Sequence, residues 1–138
     1  MQAIASPSSL KVFLVDDSPL ICQRLSTLLG AIPGVQVIGT AATQDEARQL
    51  ESNHADVAIV DMQLRDGSGI NVLRNISASG RAIVPIVLTN YADAQFRRQC
   101  LQEGARFFFD KSTEFGRVRD TIRQMAEARS AGHPGASS

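Results

Sequence analysis

The sequence predicts an α/β fold, in which a doubly wound, five-stranded parallel sheet of order 2-1-3-4-5 is flanked by five helices. Short, purely apolar runs alternate along the chain with stretches whose apolar residues recur at helical spacing. Strands that are buried on both faces of a parallel sheet have this appearance. No internal repeat is present, and 138 residues suit one domain of five strand–helix units.

The predicted strands are short and rich in β-branched and aromatic residues. The third, Val57–Val60, is apolar on both faces, as a central strand should be. Pro85 lacks an N–H donor, so we expect it to precede the paired part of the fourth strand. The five predicted strands cover residues 11–15, 35–39, 57–60, 86–88 and 106–109.

The starts of two predicted helices carry residues that suit the first helical turn. Ser18 and Pro19 place a capping side chain before a proline at the first helical position, which opens helix one. Thr43 and Glu46 have the spacing of a capping box and open helix two. Both signals indicate that a helix follows the strand before it.

Glycines mark the ends of helices three and four, and the last helix has a clear apolar stripe. Gly80 follows helix three, and Gly104 follows helix four, which covers about residues 93–103. The stripe of helix five faces the sheet and consists of Phe115, Val118, Ile122 and Met125. From Ser130 onward the residues are small and polar, which predicts a disordered tail over 130–138. We predict a disordered segment over 1–9 and a single domain over 10–129.

The composition is that of an ordinary globular protein with a formal net charge of zero, which favours neither nucleic-acid nor membrane binding. Residues 1–66 hold eight acidic and four basic residues, whereas residues 67–138 hold six acidic and ten basic residues.

Cys22 and Cys100 lack metal-ligand spacing, and we expect reduced thiols. With no recognisable signal peptide and no apolar run near the ~20 residues of a membrane span, we expect a cytoplasmic location.

Polar residues follow four of the predicted strands, at the point where each ends. They are Asp16 and Asp17, Asp61, Thr89 and Lys111. Because parallel strands end at the same edge of a sheet, these side chains should lie together where open α/β sheets bind ligands. Three crowded carboxylates require a cation, and a lysine beside them suits an anion. The sequence therefore predicts a site for a metal ion and a phosphoryl group, although each residue alone has an ordinary surface or capping explanation.

These residues lie in segments that resemble the motifs of two-component response-regulator receiver domains. The resemblance covers roughly residues 10–129 and implies a flavodoxin-like, chemotaxis-regulator-like fold. It also implies a stand-alone, single-domain response regulator, since the chain shows no long segment for an output domain after the receiver. The matching segments are Val15-Asp16-Asp17-Ser18-Pro19, Ile59-Val60-Asp61-Met62, Val87-Leu88-Thr89 and Phe109-Asp110-Lys111.

The resemblance implies a phosphoacceptor module of a phosphorelay. Asp61 would be the nucleophile that takes a phosphoryl group from a sensor histidine kinase or phosphotransfer protein. Mg²⁺, or Mn²⁺, would be bound directly by Asp17, Asp61 and the backbone carbonyl of Gln63, and through water by Asp16. The protein would catalyse only its own phosphorylation and dephosphorylation, so we do not expect an enzyme in the wider sense.

The resemblance also assigns the residues that transmit the signal. Lys111 would pair with a phosphoryl oxygen, and the Thr89 hydroxyl would be drawn toward another. Phe108, three residues before Lys111, would enter the space that Thr89 vacates. This switch would act on a downstream protein through the surface of the fourth helix, fifth strand and fifth helix, with phosphorylation-dependent homodimerisation left open. That surface holds Phe96, Arg97, Arg98, Arg106 and Arg117.

Several positions depart from the family pattern, Ser112 among them, and two other functions remain as alternatives. Ser112 follows Lys111 where proline is frequent, so the sequence leaves the path of the lysine loop open. The first alternative is a phosphorylation-independent binding module, which has no reason to keep three repelling carboxylates. The second is a flavodoxin-like cofactor protein or a small phosphatase. The sequence lacks a Gly-rich phosphate cradle, a tryptophan to stack a flavin, and a second acid two residues after Asp61.

Overall fold

The computed structural model describes residues 9–131, which form two sheets and the helices around them. The strands are β1 Leu10–Val15, β2 Val35–Ala41, β3 Val57–Val60, β4 Gln63–Leu64, β5 Gly67–Ser68, β6 Val84–Thr89 and β7 Phe107–Asp110. The helices are α1 Pro19–Gly30, α2 Gln49–Ser52, α3 Gly69–Ser79, α4 Ala94–Gln102 and α5 Phe115–Ala131. A 3₁₀ turn, Glu46–Arg48, leads into α2.

The main sheet confirms the predicted topology. Its five parallel strands lie in the order β2-β1-β3-β6-β7, which is 2-1-3-4-5 when only these five strands are counted. The β4–β5 pair is a separate antiparallel hairpin between β3 and α3. The strand order brings the ends of β1 and β3 side by side at the centre of the sheet, where the chain changes direction and ligands bind in folds of this type.

Each face of the main sheet carries its own apolar core, because successive side chains of a strand point to opposite faces. In β1, Phe13 and Val15 belong to the core under α2, α3 and α4, whereas Val12 and Leu14 belong to the core under α1 and α5. All four are fully buried. The alternation explains why the strands read as continuous apolar runs.

No helix among the described residues is long and apolar enough to cross a membrane.

The helix boundaries confirm several signals of the sequence. The Ser18 hydroxyl accepts the Ile21 N–H at 3.2 Å, with Pro19 as the first residue of α1. Gly80 follows α3 in the left-handed conformation, at φ 74°. Gly104 follows α4 with φ 109°. Ser18 and Gly104 pair with backbone groups that the helix ends would otherwise leave unpaired, and the left-handed turn at Gly80 ends α3.

The second helix is shorter than a flanking helix usually is. Thr43 Oγ1 accepts the Glu46 N–H at 3.0 Å, as the predicted capping box requires. The Glu46 carboxylate, however, reaches back to the N–H of Ala42 at 2.8 Å instead of that of Thr43. A 3₁₀ turn and the four residues of α2 follow. The prediction of five flanking helices is therefore met by four longer helices and one short one within residues 9–131.

The prediction about Pro85 was wrong. Pro85 lies inside β6, where it is paired in register with Ala58 of β3. Its carbonyl accepts the Arg106 N–H at 2.8 Å, so its missing N–H also faces β7. The ladder between β6 and β7 begins one residue later, at Ile86 and Phe107. Proline is tolerated there because the position precedes the first paired residues on that side.

The predicted ends of the domain also need correction. Helix α5 runs to Ala131 and so contains Ser130 and Ala131, which the sequence pattern places in the tail. Ser9, which the pattern places in the N-terminal segment, is buried. Residues 1–8 and 132–138, the rest of the two segments predicted to be disordered, lie outside the described residues.

Gly69 begins α3 in close contact with the end of β3. Its N–H donates to the Met62 carbonyl at 3.0 Å. A Cβ atom at this position would collide with the carbonyl oxygen of Asp61 and would lie 2.9 Å from the Cα of Met62. Backbone atoms cannot move aside as a flexible side chain can. The absence of a side chain therefore lets α3 start directly against the strand end that carries Asp61.

Candidate functional site

The structure brings the predicted acidic residues together at one edge of the main sheet. Asp16 and Asp17 directly follow β1, and Asp61 directly follows β3. Each of the three offers a carboxylate oxygen within 4.8 Å of the others. Asp16 and Asp61 are buried, with exposed fractions of 5% and 7%, and Asp17 is half-buried. The predicted convergence of these three carboxylates is present in the fold.

Lys111 lies among the carboxylates, just past the end of β7. Its Nζ is 2.8 Å from Oδ2 of Asp16 and 3.1 Å from Oδ2 of Asp61. Only 9% of the lysine side chain is exposed. One cation thus contacts two buried anions, and its bond to Asp16 is the shorter. Pairing of this kind is what makes buried charges tolerable.

Backbone hydrogen bonds hold both carboxylates in place. Oδ1 of Asp16 accepts the Ser18 N–H at 2.9 Å, and Oδ1 of Asp61 accepts the Gln63 N–H at a long 3.4 Å. The N–H of Asp61 donates to the carbonyl of Val15 at 2.8 Å, which extends the β1–β3 ladder by one residue. Each buried carboxylate therefore uses one oxygen for the backbone and one for Lys111.

Burial and charge act in opposite directions on the ionisable groups of the site. Burial raises the pKa of Asp61, the Lys111 ammonium lowers it, and Asp16 raises it again, with a net shift upward. Burial alone would lower the pKa of Lys111, but its hydrogen bond and charge contacts with Asp16 and Asp61 raise it overall. The lysine therefore stays charged, and Asp61 ionises less readily than a solvated aspartate.

Thr89, the last residue of β6, is fully buried beside this edge. Its Oγ1 accepts the Tyr91 N–H at 3.2 Å, and its carbonyl accepts the Lys111 N–H at 2.9 Å. A backbone hydrogen bond thus joins the predicted threonine directly to the predicted lysine.

Comparison with known proteins identifies the family. The family model for the response regulator receiver domain matches residues 12–123, which is most of the chain. The chain is a response-regulator receiver domain. The DNA-binding transcriptional activator DevR/DosR of Mycobacterium tuberculosis is 30% identical over 121 residues, covering 87% of this chain and 56% of the relative. This chain therefore spans about half the length of that relative.

Solved structures agree on the fold. The signal receiver domain of a NarL response regulator from Mycobacterium tuberculosis superposes with a TM-score of 0.79 at 20% identity, covering 88% of this chain and 98% of that one. The CheX–CheY–BeF₃–Mg²⁺ complex from Borrelia burgdorferi contains a chain with a TM-score of 0.71 at 24% identity, covering 82% of this chain and 89% of that one. At these identities the likeness concerns the fold alone.

The predicted switch aromatic of this receiver domain lies inside the protein. Phe108 is only 4% exposed. Its ring meets that of Phe96 edge to face, with centroids 6.3 Å apart, and the guanidinium carbon of Arg97 lies 5.9 Å from its centroid. Both contacts come from α4, so the position of Phe108 and the packing of α4 depend on each other.

The residues of this receiver domain fit a magnesium ion. Receiver domains bind Mg²⁺ at an acidic pocket, and Asp16, Asp17 and Asp61 supply an oxygen-only set of ligands here. Cys22, which lies next to the pocket, does not add a competing thiolate. Burial and the nearby Asp16 carboxylate raise the pKa of this thiol to about 11, so it stays protonated. A hard cation therefore suits the site better than a thiol-binding metal.

Sequence reasoning missed the residues that build the turn after β7. Oδ1 of Asp110 accepts two hydrogen bonds from Ser112, one from its N–H at 2.8 Å and one from the Ser112 hydroxyl at 2.6 Å. Oε1 of Glu114 accepts the N–H of Asp110 at 3.0 Å. A capping box has a spacing of three residues, whereas Asp110 and Glu114 are four apart, so the sequence carries no standard capping signal for this turn.

Proposed function

We propose that Asp61 accepts a phosphoryl group from the phosphohistidine of a sensor histidine kinase or phosphotransfer protein, in a reaction that depends on Mg²⁺ or Mn²⁺. A carboxylate oxygen of Asp61 would attack phosphorus, the phosphorus–nitrogen bond would break, and the electron pair would leave with the imidazole. The observation that carries the proposal is the contact of Lys111 with both Asp16 and Asp61 inside a cluster of three carboxylates. Membership of the receiver family supports the same role.

The ion and the lysine would answer the charge repulsion between a carboxylate and a phosphoryl group. Asp17, Asp61 and the Gln63 carbonyl would bind the ion directly, and Asp16 would contact it through water. When bound, Mg²⁺ supplies positive charge that offsets the developing charge on the phosphoryl oxygens. Lys111 would turn from the carboxylates to a phosphoryl oxygen, where a cation held ready in a buried site is most effective.

The output of the module would be a change of surface next to the site. The Thr89 hydroxyl would exchange the Tyr91 N–H for a phosphoryl oxygen, and Phe108 would follow into the space it leaves. The groove beside Phe108, between α4, β7 and α5, has a volume of about 590 Å³ and is lined in part by Arg97, Arg106 and Arg117. This groove is the proposed contact surface for a downstream protein, or for a second copy in a phosphorylated dimer. We place this signalling in the cytoplasm and propose no direct nucleic-acid or membrane binding.

The test is incubation with Mg²⁺ and acetyl phosphate, followed by intact-mass measurement. We expect one added phosphoryl group, lost in Asp61→Asn and in the presence of a chelator. Asp66→Asn is the matched control, because Asp66 lies in the nearby turn between β4 and β5 and uses its carboxylate to accept the Gln44 N–H at 2.7 Å. It should be phosphorylated like the wild type.

Two results would contradict the proposal. Phosphorylation that persists in Asp61→Asn would assign the acceptor to another residue. A wild-type protein that binds Mg²⁺ but never gains mass would favour a phosphorylation-independent binding module, whose pocket Lys111 already neutralises in part.

A further inference from the structure

We infer that Glu114 is a positioning residue for Lys111, because its carboxylate closes the turn that carries the lysine. The inference rests on the proposed role of Lys111 in phosphoryl transfer. Glu114 lies four residues after Asp110 and directly before α5. Among the described residues, its side chain bonds to the Asp110 N–H and to Arg117 and not to Lys111 or the three carboxylates, so its influence would pass through the backbone of the turn.

The turn is closed by a reciprocal pair of hydrogen bonds. Oε1 of Glu114 accepts the Asp110 N–H at 3.0 Å, and the Glu114 N–H donates to the Asp110 carbonyl at 2.8 Å. The two ends of the segment that contains Lys111 are therefore joined twice. Because the turn is held at both ends, the backbone of its central residues has little conformational freedom. The Cα atom of Lys111, from which the side chain extends, therefore stays in place.

Asp110 completes the turn from within. Its Oδ1 accepts both the N–H and the hydroxyl of Ser112, and the Lys111 N–H donates to the Thr89 carbonyl. The family resemblance places a proline where this chain has Ser112. Proline would stiffen the turn through its ring, whereas this chain uses hydrogen bonds from Asp110 and Glu114. The serine supplies the two donors that a proline at this position lacks.

Arg117 orients the Glu114 carboxylate. Its Nη1 lies 2.9 Å from Oε2 of Glu114, which leaves Oε1 for the Asp110 N–H. The Glu114 side chain is 26% exposed, and that of Arg117 is 68% exposed. Both residues also line the groove between α4, β7 and α5. A partner bound in that groove would meet the same carboxylate that closes the lysine turn.

The chain offers a closely matched control in Glu103. Glu103 also pairs with an arginine at 2.9 Å, its side chain is also 26% exposed, and its partner Arg74 lies on α3. The difference is the second carboxylate oxygen, which in Glu114 accepts the N–H of Asp110. Comparing Glu114→Ala with Glu103→Ala therefore separates the loss of the turn from the loss of a surface ion pair.

The experiment measures the initial rate of phosphorylation by acetyl phosphate at saturating Mg²⁺, with Mg²⁺ affinity determined separately by titration. We expect Glu114→Ala to react about tenfold more slowly, because a displaced lysine loses much of its effect on the transferring group. Glu114→Gln retains a side-chain oxygen and should react at no less than half the wild-type rate. Glu103→Ala should match the wild type, and both it and Glu114→Gln should keep the wild-type affinity for Mg²⁺. Glu114→Ala should bind Mg²⁺ at least as tightly as the wild type, because a displaced lysine competes less with the ion for Asp16 and Asp61.

The outcomes separate this inference from the proposed function. A wild type that takes up no phosphoryl group defeats the proposed function itself. If the wild type is phosphorylated, the positioning role is overturned when Glu114→Ala keeps the wild-type rate, when Glu103→Ala slows as much, or when Glu114→Gln is as slow as Glu114→Ala. A fall in Mg²⁺ affinity in Glu114→Ala alone would also overturn it, because the damage would then reach the metal ligands.

Discussion

Two of the ion-pair sites in the protein have nearly the same N–O distances but differ in burial. Lys111 lies 2.8 Å and 3.1 Å from Asp16 and Asp61, and Arg74 lies 2.9 Å from Glu103. The side chains of the first group are 5–9% exposed, whereas those of the second are 56% and 26% exposed. The N–O distance alone therefore does not distinguish the buried candidate site from a surface contact in this molecule.

Burial decides what each group contributes. Water has been removed from the charges around Lys111, so the loss of one partner leaves the others poorly solvated. Water still reaches Arg74 and Glu103, where solvation competes with pairing and salt screens it. Under the proposed function, Lys111 in the buried group would provide positive charge for an incoming phosphoryl group. The exposed pair only joins α3 to the end of α4.

The largest effect on stability should come from removing the buried cation. Lys111→Ala leaves two buried carboxylates without their partner, so we expect the free energy of unfolding of the metal-free protein to fall by about 3 kcal/mol. Mg²⁺ should restore a larger share of stability to this variant than it adds to the wild type, because the ion replaces the missing charge. Urea unfolding with chelator and with Mg²⁺ measures both. An equal response to Mg²⁺ in the two proteins would contradict this account of the pocket.

Asp17→Asn should have a smaller effect of the opposite sign. Asp17 adds negative charge to the cluster, and among the described residues it makes no ion pair with Lys111. Its neutralisation should raise the free energy of unfolding of the metal-free protein by about 1 kcal/mol and reduce the stabilisation by Mg²⁺. Asp16→Asn is a poorer test of repulsion, since Asp16 is the nearer partner of Lys111. A less stable Asp17→Asn protein without metal would show that the favourable contacts of Asp17 outweigh its repulsion from the other carboxylates.

The exposed pair should respond to salt and pH while barely affecting stability. The Arg74 hydrogen bond lowers the pKa of Glu103, so its contribution is present above the ordinary glutamate pKa and disappears as the pH falls through the lowered value. Urea midpoints of wild type and Glu103→Ala should nearly coincide, and ~1 M salt should remove any remaining difference. A large loss of stability that persists in high salt would mean that this pair behaves like the buried group.

The smallest change concerns Asp110 in the lysine turn. Hydrogen bonds from the Ser112 hydroxyl and N–H hold the pKa of this carboxyl below its ordinary value. We expect NMR titration to show the lowered pKa in the wild type and a value closer to ordinary in Ser112→Ala. Equal values in the two proteins would mean that the hydroxyl does not bond to Asp110 in solution.

The sequence predicts the acidic cluster because its residues directly follow predicted strands. It predicts the strand order because five strand–helix units suit a doubly wound sheet, whose simplest order is 2-1-3-4-5. Parallel strands end at a common edge, so Asp16, Asp17 and Asp61 meet there whatever their rotamers. The preference of Lys111 for Asp16 over Asp61 depends on side-chain conformation, and no spacing indicates it. Pro85 was misjudged because a strand can contain proline where its neighbour has not begun to pair.

The turn after β7 shows the same limit. A family pattern suggests proline after the lysine, and its replacement by Ser112 leaves the path of the chain open. The answer lies in bonds between side chain and backbone, from Asp110 and Glu114, that compete with many other arrangements at the sequence level. Which of these hydrogen bonds form depends on the residue at which α5 begins, and tertiary packing determines that residue.

Gly69 has a consequence for the way variation in this protein will be interpreted. A library that substitutes every position should show loss of phosphorylation at Gly69, because even a methyl group there would force the start of α3 away from the carbonyl of Asp61. The residue offers no group that could touch an ion or a phosphate. A screen scored only by activity would classify Gly69 with the proposed acceptor Asp61. The backbone contact shows instead that Gly69 contributes only by lacking a side chain.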